Sequence, residues 1–134
     1  MYMLDTNICI YTISKNHRNS KVVEKIADHL GTDICISSIT FAELEYGVCK
    51  SSNPEKNSIA LYNFLSAIPV IAFDSEAAKE YGDIRASLER KGTPIRPMDQ
   101  LIAAHARSKG YILVTNNMRE FERVEHLLLE NWTE

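Results

Sequence analysis

Residues 101–117, Leu101-Ile102-Ala103-Ala104-His105-Ala106-Arg107-Ser108-Lys109-Gly110-Tyr111-Ile112-Leu113-Val114-Thr115-Asn116-Asn117, change their period midway. The first part begins near Met98, keeps apolar and alanine residues at helical spacing, and stops at Gly110. The second part, Tyr111 to Val114, is a short unbroken apolar run closed by turn-forming residues, which reads as a buried strand. A helix feeding straight into a strand apolar on both faces is half of a parallel crossover unit. The same alternation recurs in both directions along the chain. Strands are predicted at Tyr2–Leu4, Ile34–Ile36 and Val70–Phe73. Helices are predicted at Ile8–Ser14, Ser20–Leu30 with Gly31 as its stop, Ile39–Val48, Glu55–Ala67, and Ser75–Lys91 with Gly92 as its stop. Ser37 and Ser38 can cap the third of these, and Thr40-Phe41-Ala42-Glu43 also matches a capping box. A helical turn near Arg119–Arg123 and a last apolar run, Leu127–Leu129, close the chain. No repeat, linker or low-complexity tract divides residues 1–134. The expectation is one α/β domain with a central parallel sheet of four to five short strands flanked by helices.

Composition agrees with that class. The chain has 134 residues, 45% of them hydrophobic and 25% charged, enough to bury a core. The longest apolar stretch, Ala67 to Phe73, is interrupted by Pro69 and is too short to cross a membrane. Asp5 arrives too early for a secretory signal, so a cytoplasmic protein is expected. Cys9, Cys35 and Cys49 form neither a disulfide set nor a zinc spacing, and each is read as a small buried hydrophobe. The net charge of −3 disfavours non-specific coating of nucleic acid. The stretch from Arg85 to Arg123, with eight bases against four acids, is nevertheless locally positive.

In parallel sheets ligands bind beyond the carboxyl ends of the strands, which singles out polar residues placed just after strands. Four satisfy that condition: Asp5 after the first strand, Glu43 in the helix after the second, Asp99 opening the helix after the proline-rich loop Gly92–Pro97, and Asn117 after the strand at 111–114. Each has an ordinary structural role open to it, as helix cap, solvated helix residue, helix-start acid or turn former. Together they are harder to dismiss, because Asp5 and Glu43 sit among apolar neighbours, and carboxylates buried together need a neutralising cation or protons. Oxygen donors without a Cys or His pattern select Mg²⁺ or Mn²⁺. The matching reaction class is phosphodiester hydrolysis.

The segments Met3-Leu4-Asp5-Thr6-Asn7, Ile36-Ser37-Ser38-Ile39-Thr40-Phe41-Ala42-Glu43-Leu44-Glu45-Tyr46-Gly47, Pro97-Met98-Asp99-Gln100-Leu101-Ile102-Ala103-Ala104-His105-Ala106 and Val114-Thr115-Asn116-Asn117-Met118-Arg119-Glu120-Phe121 resemble, in order, the four motifs of PIN-domain ribonucleases. The resemblance is closest to the VapC-type toxins of bacterial toxin–antitoxin pairs. It implies a single PIN-like domain and an Mg²⁺-dependent endoribonuclease, with Mn²⁺ able to substitute. In that reading Asp5 and Asp99 hold the metal, Glu43 holds it or its water and accepts a proton, Asn117 positions the site, and Thr6 and Thr115 supply supporting hydroxyls. The family often carries a fourth acid where this chain has Asn117, and Glu120, three residues on, is a partial substitute. Also implied are cleavage of structured RNA, such as the anticodon stem-loop of initiator tRNA, leaving a 5′-phosphate, and a homodimer. The implied partner is a VapB-type antitoxin whose tail covers the toxin's groove and whose DNA-binding part carries the complex to operator DNA. Candidate phosphate contacts are Lys50, Arg85, Arg96, Arg107 and Arg119.

Rival readings are separable in the sequence. A receiver-like phosphoacceptor needs a lysine after a late strand, where this chain has Thr115-Asn116-Asn117. A dehalogenase-type phosphatase needs Asp-x-Asp where it has Asp5-Thr6-Asn7. A two-histidine ribonuclease needs partners that His17, His29, His105 and His126 do not show. A catalytically degenerate PIN domain that binds RNA or an antitoxin is motivated by Asn117. It is opposed by the three retained carboxylates, which a phosphate-binding surface gains nothing from keeping.

Overall fold

Five strands too short to stand alone are stabilised here by pairing side by side and by helices on both faces, as a computed structural model of residues Met1–Glu134 shows. In chain order they are β1 (Tyr2–Leu4), α1 (Thr6–Ile13), α2 (Ser20–His29), β2 (Ile34–Ser37), α3 (Ser38–Lys50), α4 (Pro54–Leu65), β3 (Val70–Ile71), α5 (Ser75–Lys91), α6 (Pro97–Lys109), β4 (Ile112–Val114), α7 (Met118–Phe121) and β5 (Leu128–Glu130). The strands lie in the order β3-β2-β1-β4-β5, and every pairing is parallel. The terminal apolar run therefore supplies the fifth strand, in register with β4 from Ile112 opposite Leu128.

Side-chain alternation divides the core in two. Met3, Cys35 and Leu113 face one layer with Ile84 and Leu88 of α5, Ile102 and Ala106 of α6, and Phe121 of α7. Their neighbours Leu4, Ile34, Ile36 and Val114 face the other, against Ile8 of α1, Val22 and Ile26 of α2, Leu44 of α3 and Leu61 of α4. That is the period of two expected of a strand buried on both sides. Two helices end on a left-handed glycine, Gly92 (φ 67°) after α5 and Gly110 (φ 69°) after α6, a conformation in which a Cβ is strained.

Three local expectations are corrected. The capping box at Thr40–Glu43 does not form. Ser37 caps α3 instead, accepting the Ile39 N–H at 3.0 Å, so Thr40 lies inside the helix with a buried hydroxyl lacking a partner. Glu43 is thereby free for longer-range contacts. Cys49 is exposed, unlike buried Cys9 and Cys35, because its position falls on the outer side of the last turn of α3. The strand expected over Val70–Phe73 ends at Ile71, since the Phe73 N–H turns away to the Ser38 hydroxyl at 3.0 Å. No helix is long and apolar enough to cross a membrane.

Candidate active site

The strand order contains a reversal. The chain builds outward from β1 through β2 to β3, then returns to the other side of β1 for β4 and β5. The loops after β1 and β4 diverge to opposite faces, and the crevice between them is where this sheet topology places ligands. Asp5 and Thr6 enter it from the end of β1, and Thr115 and Asn117 from the end of β4. Glu43 reaches it from the second turn of α3, Asp99 from the first turn of α6, Glu120 from α7 and Arg96 from the loop before α6.

Asp5 is 4% exposed and caps α1. Its Oδ1 accepts the Thr6 N–H at 2.8 Å and its Oδ2 accepts the Thr115 hydroxyl at 2.8 Å. Thr115 can donate there because its own oxygen accepts the Asn117 N–H at 3.0 Å. Burial still outweighs these two hydrogen bonds and raises the Asp5 carboxyl above the usual range, with a further push from Glu43. Glu43 is held from both sides: Oε1 accepts the Thr6 hydroxyl at 2.6 Å and Oε2 accepts Arg96 Nη2 at 3.0 Å. Asp99 is 5% exposed, and burial, reinforced by the charge of Asp5, pushes its carboxyl up to about 7. Arg96, whose Nε is 4.0 Å from Asp99 Oδ2, opposes the shift, and Glu120 adds to it.

Glu120 therefore belongs to the same electrostatic group. Its Oε1 accepts the Arg96 backbone N–H at 2.8 Å, and its Oε2 accepts the Asn117 side-chain amide. The carboxylate near the end of β4 is thus Glu120, with Asn117 acting as its tether. The sequence signal was a spacing of three residues, one helical turn, which by itself also fits an ordinary surface acid.

The basic residues separate clearly. Arg96 stands at the crevice. Arg119 is exposed on α7 beside Glu120. Lys50 lies over the Tyr46 ring, 4.9 Å from its centroid, and Arg85 bonds Tyr81 and Glu89 on the outer face of α5. Arg107 is corrected as a phosphate contact: it is committed to Glu80 and Asp83, both at 2.6 Å, and to the Glu125 carbonyl at 3.0 Å. His105 is fully buried and bonds Ser37 Oγ at 2.7 Å, and burial lowers its pKa. His17 pairs with Ser14 and His29 with Asp33, so no histidine pair forms.

A divalent cation suits this donor set. The side chains offer hard carboxylate and hydroxyl oxygens, and two acids sit above their normal pKa because they are buried and lie beside other carboxylates. No three acidic, histidine or cysteine side chains converge closely enough to ligate one ion directly, because Thr6 and Arg96 restrain Glu43, and Asn117 and the Arg96 N–H restrain Glu120. The arrangement matches the magnesium habit of one or two carboxylates with the remaining positions filled by water. Beside the crevice, and sharing Glu43 as its wall, a cavity of about 550 Å³ runs between α1, α3 and α4, floored by Ile10, Ile13, Leu44 and Val48. Sequence periodicity had no means of showing it.

Comparison with known proteins identifies the family. Residues 2–127 match the PIN domain family. The chain is 50% identical to the tRNA(fMet)-specific endonuclease VapC of Shigella flexneri over 132 residues, covering 98% of each. Among solved structures, VapBC2 of Rickettsia felis bound to a promoter DNA fragment superimposes with a TM-score of 0.90 at 43% identity, covering 98% of each chain. DNA-bound VapBC of Salmonella typhimurium gives 0.90 at 46% identity, covering 98% of this chain and 97% of that one.

Proposed function

The chain belongs to the PIN-domain family, and from that premise we propose that it is a divalent-metal-dependent endoribonuclease toxin of the VapC type. The observation that carries the proposal is the pair Asp5 and Asp99, buried together at the switch point of the sheet and both held above the normal carboxylate range. A structural pair has no reason to keep two acids short of countercharge.

In this reading Asp5 and Asp99 would hold the ion, Glu43 would hold one of its waters, and Glu120 is the fourth carboxylate. When bound, Mg²⁺ or Mn²⁺ lowers the pKa of a water and neutralises charge on a phosphate oxygen. The chain's own part is to place the oxygens. Thr115 and the Thr6 N–H orient the two oxygens of Asp5, the Thr6 hydroxyl aims Glu43, and Asn117 aims Glu120. Glu43, the least buried of the three acids predicted from sequence, is the group placed to accept a proton. Asn117 does not argue for a degenerate site, since its amide secures an acid one turn away.

The substrate proposed is the anticodon stem-loop of initiator tRNA, supported by relatives at 50% and 48% identity that are named tRNA(fMet)-specific endonucleases. Arg96 at the crevice and the exposed Arg119 on α7 are the cations proposed to meet its phosphates. The partner proposed is a VapB-type antitoxin, supported by the VapBC complexes among the structural neighbours. Its tail fits the α1–α3–α4 cavity beside Glu43, and through it a toxin homodimer is carried to operator DNA. A tRNA substrate places the activity in the cytoplasm. The test is cleavage of purified initiator tRNA by the antitoxin-free chain. Products with a 5′-phosphate, formed with Mg²⁺ or Mn²⁺ and abolished by EDTA, support the reading. Undiminished cleavage in EDTA overturns it.

A further inference from the structure

The loop before α6 is pinned in its backbone and free in one side chain. Arg123 Nη1 donates to the Pro94 carbonyl at 3.0 Å, Gln100 Nε2 to the Ile95 carbonyl at 3.0 Å, the Arg96 N–H to Glu120 at 2.8 Å, and the Gln100 N–H to the Arg96 carbonyl at 3.0 Å. Pro94 and Pro97 fix the chain direction on either side, and Ile95 between them is buried in the core. The Arg96 side chain is 61% exposed, yet it lies across two acids of the crevice, bonded to Glu43 at 3.0 Å and 4.0 Å from Asp99.

Building on the metal-dependent nuclease reading, we propose that Arg96 is a placeholder cation. Its guanidinium offsets part of the charge of Glu43 and Asp99 in the metal-free site, would give way where a divalent ion is bound, and would then take a phosphate of the RNA strand at the rim of the crevice. The planar fork that fits a carboxylate fits a phosphate equally well. The arginine end of these pairs is exposed and its contact with Asp99 is long, so the guanidinium can exchange partners, whereas the pinned backbone keeps the displaced side chain beside the site. Ion and guanidinium seek the same oxygens, so each must weaken the other by the same factor. One residue thereby offsets part of the acids' charge in the empty site and adds a phosphate contact once the site is loaded.

The test uses the full antitoxin-free chain with Arg96→Met, which keeps an apolar stem without charge, and Arg96→Lys, which keeps the charge without the fork. Mn²⁺ is titrated without RNA at low ionic strength, following the signal of free Mn²⁺ by electron paramagnetic resonance. Arg96→Met is expected to bind Mn²⁺ about threefold to fivefold more tightly than wild type, with Arg96→Lys between the two. With Mn²⁺ then saturating, Arg96→Met is expected to raise KM for initiator tRNA about tenfold and to change kcat far less. Mn²⁺ affinity equal to or weaker than wild type in Arg96→Met, or an unchanged KM, overturns the inference and leaves the nuclease reading standing. A wild-type chain that binds no Mn²⁺ overturns the nuclease reading itself, a different result from equal binding by the two chains.

Discussion

Two regions of this molecule gather acids around an arginine, and they behave oppositely. Between α5 and α6, Arg107 binds Glu80 and Asp83; nearby, Lys91 at the end of α5 binds Glu125 beyond α7, and Lys109 binds Asp74. Lysine partners there hold the carboxyls of Glu125 and Asp74 below their ordinary values. At the crevice, Asp5, Glu43, Asp99 and Glu120 crowd around Arg96, and the two most buried are pushed up. The same residue types form a satisfied clamp in one place and an under-neutralised cluster in the other. The sign of the pKa shift, more than the presence of charge, marks which region is built to receive something.

The largest expected effect tests that difference directly. Asp99→Asn should reduce tRNA cleavage by about a thousandfold or more, as expected when a group acting on a bound metal is lost, while circular dichroism shows an intact fold. The same substitution should make the metal-free protein more stable at pH 8, by on the order of 2 kcal/mol in urea unfolding. Arg107→Ala should do the reverse. Cleavage at low temperature should change less than about threefold, whereas stability should fall by about 1 kcal/mol, because Glu80 and Asp83 lose the partner between α5 and α6. A loss of activity without a loss of stability there would erase the contrast between the two regions.

The pH dependence follows from the raised carboxyl of Asp99. Its folded-state value of about 7 lies above the ordinary 3.8. Metal-free stability from this group is therefore complete below about pH 4 and declines as pH rises through 7. Mn²⁺ affinity should run the other way, rising until Asp99 is ionised near pH 7 and then levelling. Titration of Mn²⁺ binding between pH 5.5 and 8 measures this, and a flat profile would assign the shift to a group that takes no part. The smallest effect expected is from Asn117→Ala. Releasing Glu120 from its tether should slow cleavage about tenfold and leave Mn²⁺ affinity within about twofold, since the acid itself remains.

Much of this architecture could be read from the chain. Where a period is unambiguous, as in Tyr111–Val114, or a stop is chemical, as at Gly92 and Gly110, elements fall where sequence places them. Ends set by tertiary hydrogen bonds do not: β3 stops at Ile71 because Ser38 claims the next free N–H. Asp5, Glu43 and Asp99 were legible as acids placed after strands. The partners of Arg107 were not, since Glu80 and Asp83 lie 27 and 24 residues earlier on another helix. Nor was the part played by Glu120, which depends on the Arg96 N–H and the Asn117 amide facing it.

The sequence by itself determined the α/β alternation, the residues that leave the strands and the hard-oxygen character of the site, because these depend on side-chain chemistry and local periodicity. The tertiary structure alone decided which charges are compensated. Countercharge depends on distance and burial between elements far apart in the chain. It is those that turn Arg107 into a clamp and leave Asp5 and Asp99 short of positive charge.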